Sequence, residues 1–248
     1  MTRKLSRQIV ATLVAIVLIV VGRHAYLGQF EWISGASEDE ILEVIEMTSS
    51  VAGFKALEQF SLDEANWIRD EIRQDLRRQR KGVTSSITAR NLMVEVRRRH
   101  GSLLLTAPDD LNKQVIFYQS RWLAAVENDA EMCDRILSLG DAGVLHARLD
   151  EFADKELRDN SIIFDAMRAS TQNRTEREMP TNDEWLRLYQ HLLESGFSAA
   201  DFALLEPENI RLPESCAAMR RYMNAVVGAE IPNAEKMRAA IAKSLMEL

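Results

Sequence analysis

Apolar residues recur at intervals of three and four through most of the chain beyond residue 36, and polar residues fill the positions between them. This spacing places apolar side chains on one face of an α-helix, whereas a strand would alternate at every second residue. The clearest stripes are Ala65, Ile68, Ile72 and Leu76; Leu111, Val115, Tyr118, Trp122 and Val126; Met132, Cys133, Ile136 and Leu137; and Trp185, Leu188, Tyr189 and Leu192. The pattern predicts an all-α fold, built as an irregular multi-helix bundle.

The expected ends of these helices carry residues that favour helix boundaries. Ser61 with Glu64, and Thr181 with Glu184, have the spacing of capping boxes at helix N-termini. Glycines at positions 101, 140 and 196 follow apolar stripes and favour C-terminal stops, and prolines at positions 108, 213 and 232 suit helix starts. The chain therefore reads as a series of helices with defined beginnings and ends.

The sequence does not decide the secondary structure of three segments. The segments LMVEV and SLLLT, within residues 92–106, could pair as a β-hairpin, although the helical spacing favours a helix that ends before Gly101. Residues 142–170 fit one long helix or two broken ones, with Leu145, Leu149, Phe152, Ile163 and Met167 facing inward. The polar stretch 171–182 lacks an apolar stripe and contains Pro180, which predicts a long loop or a subdomain boundary.

The N-terminal segment differs from everything that follows it. Residues 9–22 form an uncharged apolar run of 14 residues after the basic stretch MTRKLSRQ. A bilayer span needs about 20 helical residues, and residues 25–27 can extend the run if the adjacent arginines reach toward the headgroups. We expect one N-terminal transmembrane or signal-anchor helix; the alternatives are a cleaved signal peptide and a buried core helix.

This interpretation sets the domain organisation and the compartment. Residues 1–28 form a cytoplasmic tip and membrane anchor (or signal peptide), residues 29–36 a connection, and residues 37–248 the helical globular domain. Three cations precede the apolar run and only Arg23 follows it closely, so the positive-inside rule places the N-terminus in the cytoplasm. We therefore expect a single-pass protein of the inner (plasma) membrane, with the bulk of the chain in the periplasm.

Charge is distributed unevenly along the chain. Residues 1–30 hold four of the 31 Lys+Arg and no acid, which leaves 27 cations against 38 Asp+Glu, a net charge of -11. A domain with this net negative charge binds nucleic acid poorly, because affinity for nucleic acid depends on contacts between cationic side chains and phosphates. The expected partners are the membrane, through residues 9–22, and a protein of unknown identity; no nucleic acid is expected.

The two cysteines, Cys133 and Cys216, lie 83 residues apart on apolar helix faces. Their spacing excludes a CxxC redox motif, and two sulfurs are too few for a structural zinc site. An oxidising compartment favours a disulfide between the two helices. The alternative is a pair of buried free thiols that behave as small hydrophobes.

An arginine-rich stretch is the one candidate for a charged binding surface. Residues 69–100 hold ten Lys+Arg against four acids, and residues 127–160 hold ten acids against four cations. An anionic lipid headgroup, an acidic partner or a cell-wall polymer would suit such a patch. The alternative is a solvated helix face paired with the acidic segment of the same molecule. The candidate patch consists of Arg77, Arg78, Arg80, Lys81, Arg97, Arg98 and Arg99.

No motif assigns a reaction to the chain. The four histidines, His24, His100, His146 and His191, are isolated from one another, and neither HExxH nor the Glu-x-x-His order of bundle metal sites is present. A nucleophile elbow, a phosphate loop and a dinucleotide fingerprint are also absent, so no metal, cofactor or catalytic residue is predicted.

The sequence thus favours a membrane-anchored, exported helical domain that acts as a protein-interaction or envelope-associated structural module. Such a module should expose an apolar or charged patch on its folded surface. One alternative is an exported hydrolase that acts on cell-wall material through carboxylates gathered by the fold, which requires a deep cleft. Another is a helical bundle that binds an apolar ligand in a closed cavity.

Overall fold

A computed structural model describes residues 38–79, 89–140, 160–206 and 214–247. Within these ranges the chain forms eleven α-helices, one 3₁₀ turn and no strand, which confirms the all-α prediction. The helices are α1 (Glu38–Ser50), α2 (Ala52–Phe60), α3 (Leu62–Gln79), α4 (Ala89–His100), α5 (Asp109–Val126), α6 (Ala130–Leu139), α7 (Ser161–Gln172), α8 (Asn182–Glu194), α9 (Ala199–Leu204), α10 (Ser215–Gly228) and α11 (Ala234–Leu245); the 3₁₀ turn is Gly101–Leu105.

The expected anchor, residues 1–28, and the connection, residues 29–36, lie outside the described residues. None of the described helices combines the length and the apolar content that a membrane span requires. The membrane anchor therefore stays a prediction from the sequence.

Helix α5 lies at the centre of the bundle, in contact with α6, α7, α10 and α11. Its 18 residues carry buried side chains on most of the helix circumference, including the polar Asn112, Gln119 and Ser120. A helix buried on nearly all sides needs partners for its polar groups, because an unpaired buried polar group is costly. Asn112 Nδ2 donates to the carbonyl oxygen of Leu104 (3.0 Å), and Ser120 Oγ donates to Asn224 Oδ1 on α10 (2.7 Å).

The first four helices pack against one another, and α2 and α4 contact α7. Helix α2 packs along α7, and the stripe predicted for α3, from Ala65 to Leu76, is buried. The approach of Gly53 to the start of α7 is close, since a Cβ at this position would lie 1.8 Å from Asn160 Oδ1. A side chain at position 53 would therefore force the Asn160 side chain to move.

The 3₁₀ turn Gly101–Leu105 joins the two halves of the bundle, and it replaces the β-hairpin that was the alternative for this segment. It contacts α4, α7 and α11. The loop that follows α7 is tied to the same place: the N–H of Thr175 donates to the Thr106 carbonyl oxygen (2.9 Å), and Arg177 NH1 donates to the Ala107 carbonyl oxygen (2.6 Å). The polar stretch 171–182 thus contains the end of α7 and a loop that these hydrogen bonds hold against the bundle. Buried residues from both sides of it belong to one hydrophobic cluster.

The predicted helix boundaries are largely confirmed. Helices α4, α6 and α8 end just before the glycines at positions 101, 140 and 196, and the last two glycines have positive φ angles of 62° and 94°. Thr181 and Glu184 form a complete capping box, whereas only half of the Ser61 box is present. The N–H of Glu64 donates to Ser61 Oγ (3.3 Å), but the Glu64 carboxylate turns instead to α4.

A buried arginine fastens the last helix to α5. Arg238 Nε and NH2 donate to the two carboxylate oxygens of Asp109 at 2.8 and 2.7 Å, and NH1 donates to the Ala229 carbonyl oxygen at 3.0 Å. Burial alone would raise the pKa of Asp109. The hydrogen bonds and the positive charge of Arg238 lower it by more, so the pKa of Asp109 lies below its usual range. The pair is therefore ionised at neutral pH and holds α11 in register with α5.

Removing this arginine should destabilise the fold strongly. We expect Arg238→Met to lower the free energy of unfolding by about 2–4 kcal/mol, because the variant leaves Asp109 half-buried without its partner. Lys113→Met is the matched control, since the partly exposed Lys113 lies 3.7 Å from the same carboxylate and should contribute less than about 1 kcal/mol. Urea denaturation at pH 7 measures both; equal effects would contradict this role for Arg238.

Candidate functional site

The two cysteines are joined in the structure. Cys133 on α6 and Cys216 on α10 form a disulfide with their Cα atoms 5.8 Å apart, and both residues are buried. The bond connects two helices that both pack against α5, and Arg220 Nε on α10 lies 2.8 Å from Glu127 Oε2 near the start of α6. The crosslink thus closes a loop that contains α7, α8 and α9.

The oxidation state of these cysteines can be measured directly. In protein taken from its native compartment, we expect no alkylation of either residue under denaturing, non-reducing conditions. Cys133→Ala combined with Cys216→Ala should lower the free energy of unfolding by about 2–4 kcal/mol, since the crosslink restricts the unfolded chain. Two alkylated thiols in the native protein would contradict the bond.

The structure describes the side chains of four residues of the candidate patch, Arg77, Arg97, Arg98 and Arg99. Arg97 is buried, Arg98 is exposed, and Arg77 lies 3.4 Å from Glu38 at the surface. The side chain of Arg78, together with Arg80 and Lys81, lies outside what the structure describes. The candidate patch therefore stays a prediction from the sequence.

Arginines of α3 and α4 have acidic partners on the first four helices. Arg69 pairs with Glu58, Arg73 pairs with Asp70 (2.6 Å), and Arg77 pairs with Glu38. Arg99 pairs with Glu95 (2.5 Å) and Glu64 (3.2 Å). The acidic partners described for these arginines thus lie on the first four helices.

Glu64 holds a small polar cluster between α3 and α4. Its Oε1 lies 2.8 Å from His100 Nε2, and its Oε2 accepts from Arg99 NH1. The Arg99 guanidinium stacks over the Trp67 ring at 4.0 Å, and His100 packs edge-on against Phe60. Both carboxylate oxygens of Glu64 are engaged, so the cluster serves to join the two helices.

No group of three His, Cys, Asp or Glu in the described ranges is close enough to hold a metal ion. His100 is engaged by Glu64, and His191 is half-buried on α8. His24 and His146 lie outside the described residues.

Helix α8 presents the surface that departs most from the sequence prediction. Leu188 and Leu192 are buried as predicted, but Tyr189 is exposed, so its assignment to the buried stripe is wrong. Leu186, Tyr189 and Leu193 are 54%, 42% and 42% exposed, and their spacing places them along one side of the helix. We call these three residues the outer stripe of α8.

The outer stripe continues onto α9. The Tyr189 ring packs against Phe202, with ring centroids 4.5 Å apart, and Phe202 packs in turn against Phe197 at 5.5 Å. Phe202 is half-buried, as are its neighbours on α9, where no residue is fully buried. The two helices together therefore form an apolar strip that solvent reaches over most of its length.

A buried carboxylate fixes the position of α8. Glu184 accepts hydrogen bonds from the backbone N–H of Thr181 (2.7 Å), from Asn233 Nδ2 (2.5 Å) and from Lys236 Nζ (3.2 Å). Asn233 has a φ of 63°, in the left-handed region that asparagine tolerates better than most residues. These bonds join the N-terminus of α8 to the N-terminus of α11 and so set which face of α8 turns inward.

The same bonds lower the pKa of Glu184. The hydrogen bond from the Thr181 N–H is the largest cause, and although burial acts in the opposite direction, the pKa falls to about 2. Because the pKa is lower in the folded state than in the unfolded chain, the carboxylate stabilises the fold above about pH 5. That contribution is lost as the pH falls through 4 toward 2.

A pH series on two neighbouring variants tests this role. We expect Glu184→Gln to lower the free energy of unfolding at pH 7, with a difference from the wild type that shrinks between about pH 4 and pH 2. Asp183→Asn removes the same charge from an exposed position one residue earlier and should have little effect. A Glu184→Gln effect that persists undiminished at pH 2 would contradict the assignment.

The sequence does contain a signal for the outer stripe. Residues 185–193 include six apolar residues, more than one face of a three-turn helix can bury: Trp185, Leu186, Leu188, Tyr189, Leu192 and Leu193. The best-spaced stripe of this helix leaves out Leu186 and Leu193. The six residues cover one wide arc of the helix, and the bundle leaves Leu186, Tyr189 and Leu193 of that arc exposed.

Comparison with known protein families, characterised proteins and solved structures finds no match to this chain.

Proposed function

We propose that this protein is a membrane-anchored, exported helical module whose function is to bind another protein through the outer stripe of α8. The exposed stripe carries the proposal. Monomeric proteins seldom leave a row of large apolar side chains in water, and such rows mark surfaces where proteins associate. The aromatic Tyr189, with Phe202 behind it, has the character of residues that contribute most at interface centres.

The residues of the outer stripe adjoin other exposed apolar residues, which single surface leucines do not. Leu42 on α1 is 55% exposed, as much as Leu186, but acidic residues lie near it on the helix, including Glu38, Asp39 and Glu46. Single exposed leucines of this kind are common and need no partner. On α8 the three apolar residues adjoin one another, and this continuity supports a binding role.

The disulfide supports the exported location. Disulfides persist in oxidising compartments and are rare in the cytosol, where thiols are kept reduced. Cys133 and Cys216 are paired and buried in the core. This agrees with the positive-inside orientation expected for residues 1–28.

The anchor would keep the stripe close to the bilayer. The connection, residues 29–36, spans about 28 Å at most when fully extended. The domain begins directly after this connection, so its partners are proteins within reach of the membrane surface. A module that stays beside the membrane suits contact with another membrane protein.

Site-specific photo-crosslinking in intact cells tests the proposed function. With a photoreactive amino acid at position 186, we expect defined protein adducts in the membrane fraction. The same residue at position 42 provides the matched control, because it is equally exposed on another helix, and it should give no specific adduct. Equal labelling from both positions, or protein recovered from the cytosol with two free thiols, would overturn the proposal.

A further inference from the structure

Helix α9, Ala199–Leu204, is the least buried helix that the structure describes. It has no fully buried residue, whereas each of the other described helices has at least two. Its six residues are too few for a stable helix in isolation, because so short a helix does not recover the cost of nucleation. The position of α9 therefore depends on its contacts with α8 and α10.

The apolar contact of α9 is made by Phe202. Its ring centroid lies 4.5 Å from that of Tyr189 on α8 and 5.5 Å from that of Phe197, which follows α8. Phe202 is half-buried, and Phe197 is only 7% exposed. Helix α9 thus covers one side of an outer-stripe residue and shields the phenylalanine beside it.

The polar contact of α9 is an ion pair with α10. Arg221 NH2 donates to Asp201 Oδ1, and Asp201 Oδ2 accepts from the N–H (2.9 Å) and the hydroxyl (2.8 Å) of Ser198. The Arg221 side chain is 51% exposed, so solvent screens the pair and its contribution to stability is small. The pair therefore orients α9 on α10 without holding it firmly.

The chain between α8 and α9 has a hinge residue in Gly196. Its φ is 94°, and a Cβ at this position would meet no atom within 4 Å. Glycine adopts the widest range of backbone conformations, and hinge motions are absorbed by a few residues at the ends of helices. A rotation at Gly196 would carry α9 away from α10 while the bonds of Glu184 hold α8 in place.

We propose that α9 is a flap that covers part of the binding surface of α8, and that the partner binds the form in which the flap is open. This inference rests on the proposed function, because it describes how access to the outer stripe is regulated. Opening would expose the Phe197 ring and the side of Tyr189 that Phe202 covers, which enlarges the apolar surface. Segments with few buried contacts open at a fraction of the free energy of global unfolding, and a partner that binds the open form shifts the equilibrium toward it.

Native-state hydrogen exchange of the full-length protein in detergent measures the opening. The N–H of Phe202 donates to the Ser198 carbonyl oxygen (3.2 Å), and this bond is lost when α9 detaches, since the helix is unstable alone. We expect the Phe202 amide to exchange at least about 100-fold faster than the amides of α5. A Phe202 amide that exchanges as slowly as those of α5 would overturn the flap.

Two variants connect the flap to binding. Arg221→Met should speed exchange of the Phe202 amide about 2- to 5-fold, because it removes the ion pair with Asp201. With the photoprobe at position 186, the same change should raise the adduct yield by a similar factor while binding is unsaturated, since more molecules are open. Arg73→Met is the matched control, because it breaks another partly exposed ion pair, with Asp70 on α3, and should change neither quantity.

The two measurements separate this inference from the proposed function. Adducts from position 186 that are equally abundant in the wild type and in Arg221→Met, despite faster exchange, would show that the flap does not regulate binding, and the proposed function would stand. The absence of adducts from both proteins would overturn the proposed function and, with it, the regulatory role of α9.

Discussion

The carboxylate of Glu184 is the interaction on which the orientation of α8 depends. It closes the capping box at Thr181 and accepts hydrogen bonds from Asn233 and Lys236 on α11, so one side chain determines where α8 begins and how it is rotated. With this rotation Leu188 and Leu192 enter the core. Leu186, Tyr189 and Leu193 then lie beside the buried face, and they are exposed.

The remaining structure provides a rigid support for this surface. Helix α5 is buried on most sides, Arg238 fastens α11 to it, and the disulfide fastens α6 to α10. Helix α8 packs on α10 and α11, which are the two helices that these links hold in place. The ion pair and the disulfide therefore hold the two helices against which α8 packs. A surface on a helix held in this way would lose little conformational freedom if it bound a partner.

Much of the fold could be predicted from the spacing of apolar residues. The stripe on α3, the stop before Gly140 and the pairing of Cys133 with Cys216 follow from local pattern and chemistry. The rotation of α8 could not be predicted, since its apolar residues cover a wide arc and the part that is buried depends on contacts with Asn233 and Lys236, some 50 residues later. Likewise, the side chain of Glu64 serves α4 instead of its own capping box, because His100 and Arg99 compete for it through tertiary contact.

Footprinting of α8 in the native membrane tests the central claim most directly. Carbene or hydroxyl-radical labelling reports the solvent exposure of Leu186, Tyr189 and Leu193, and it can be compared between intact membranes and dilute detergent-solubilised protein. We expect these three residues to be protected in membranes and labelled after dilution, whereas exposed Leu42 should be labelled equally in both. Equal labelling of the three residues in both states would show that nothing covers this face and would contradict the account.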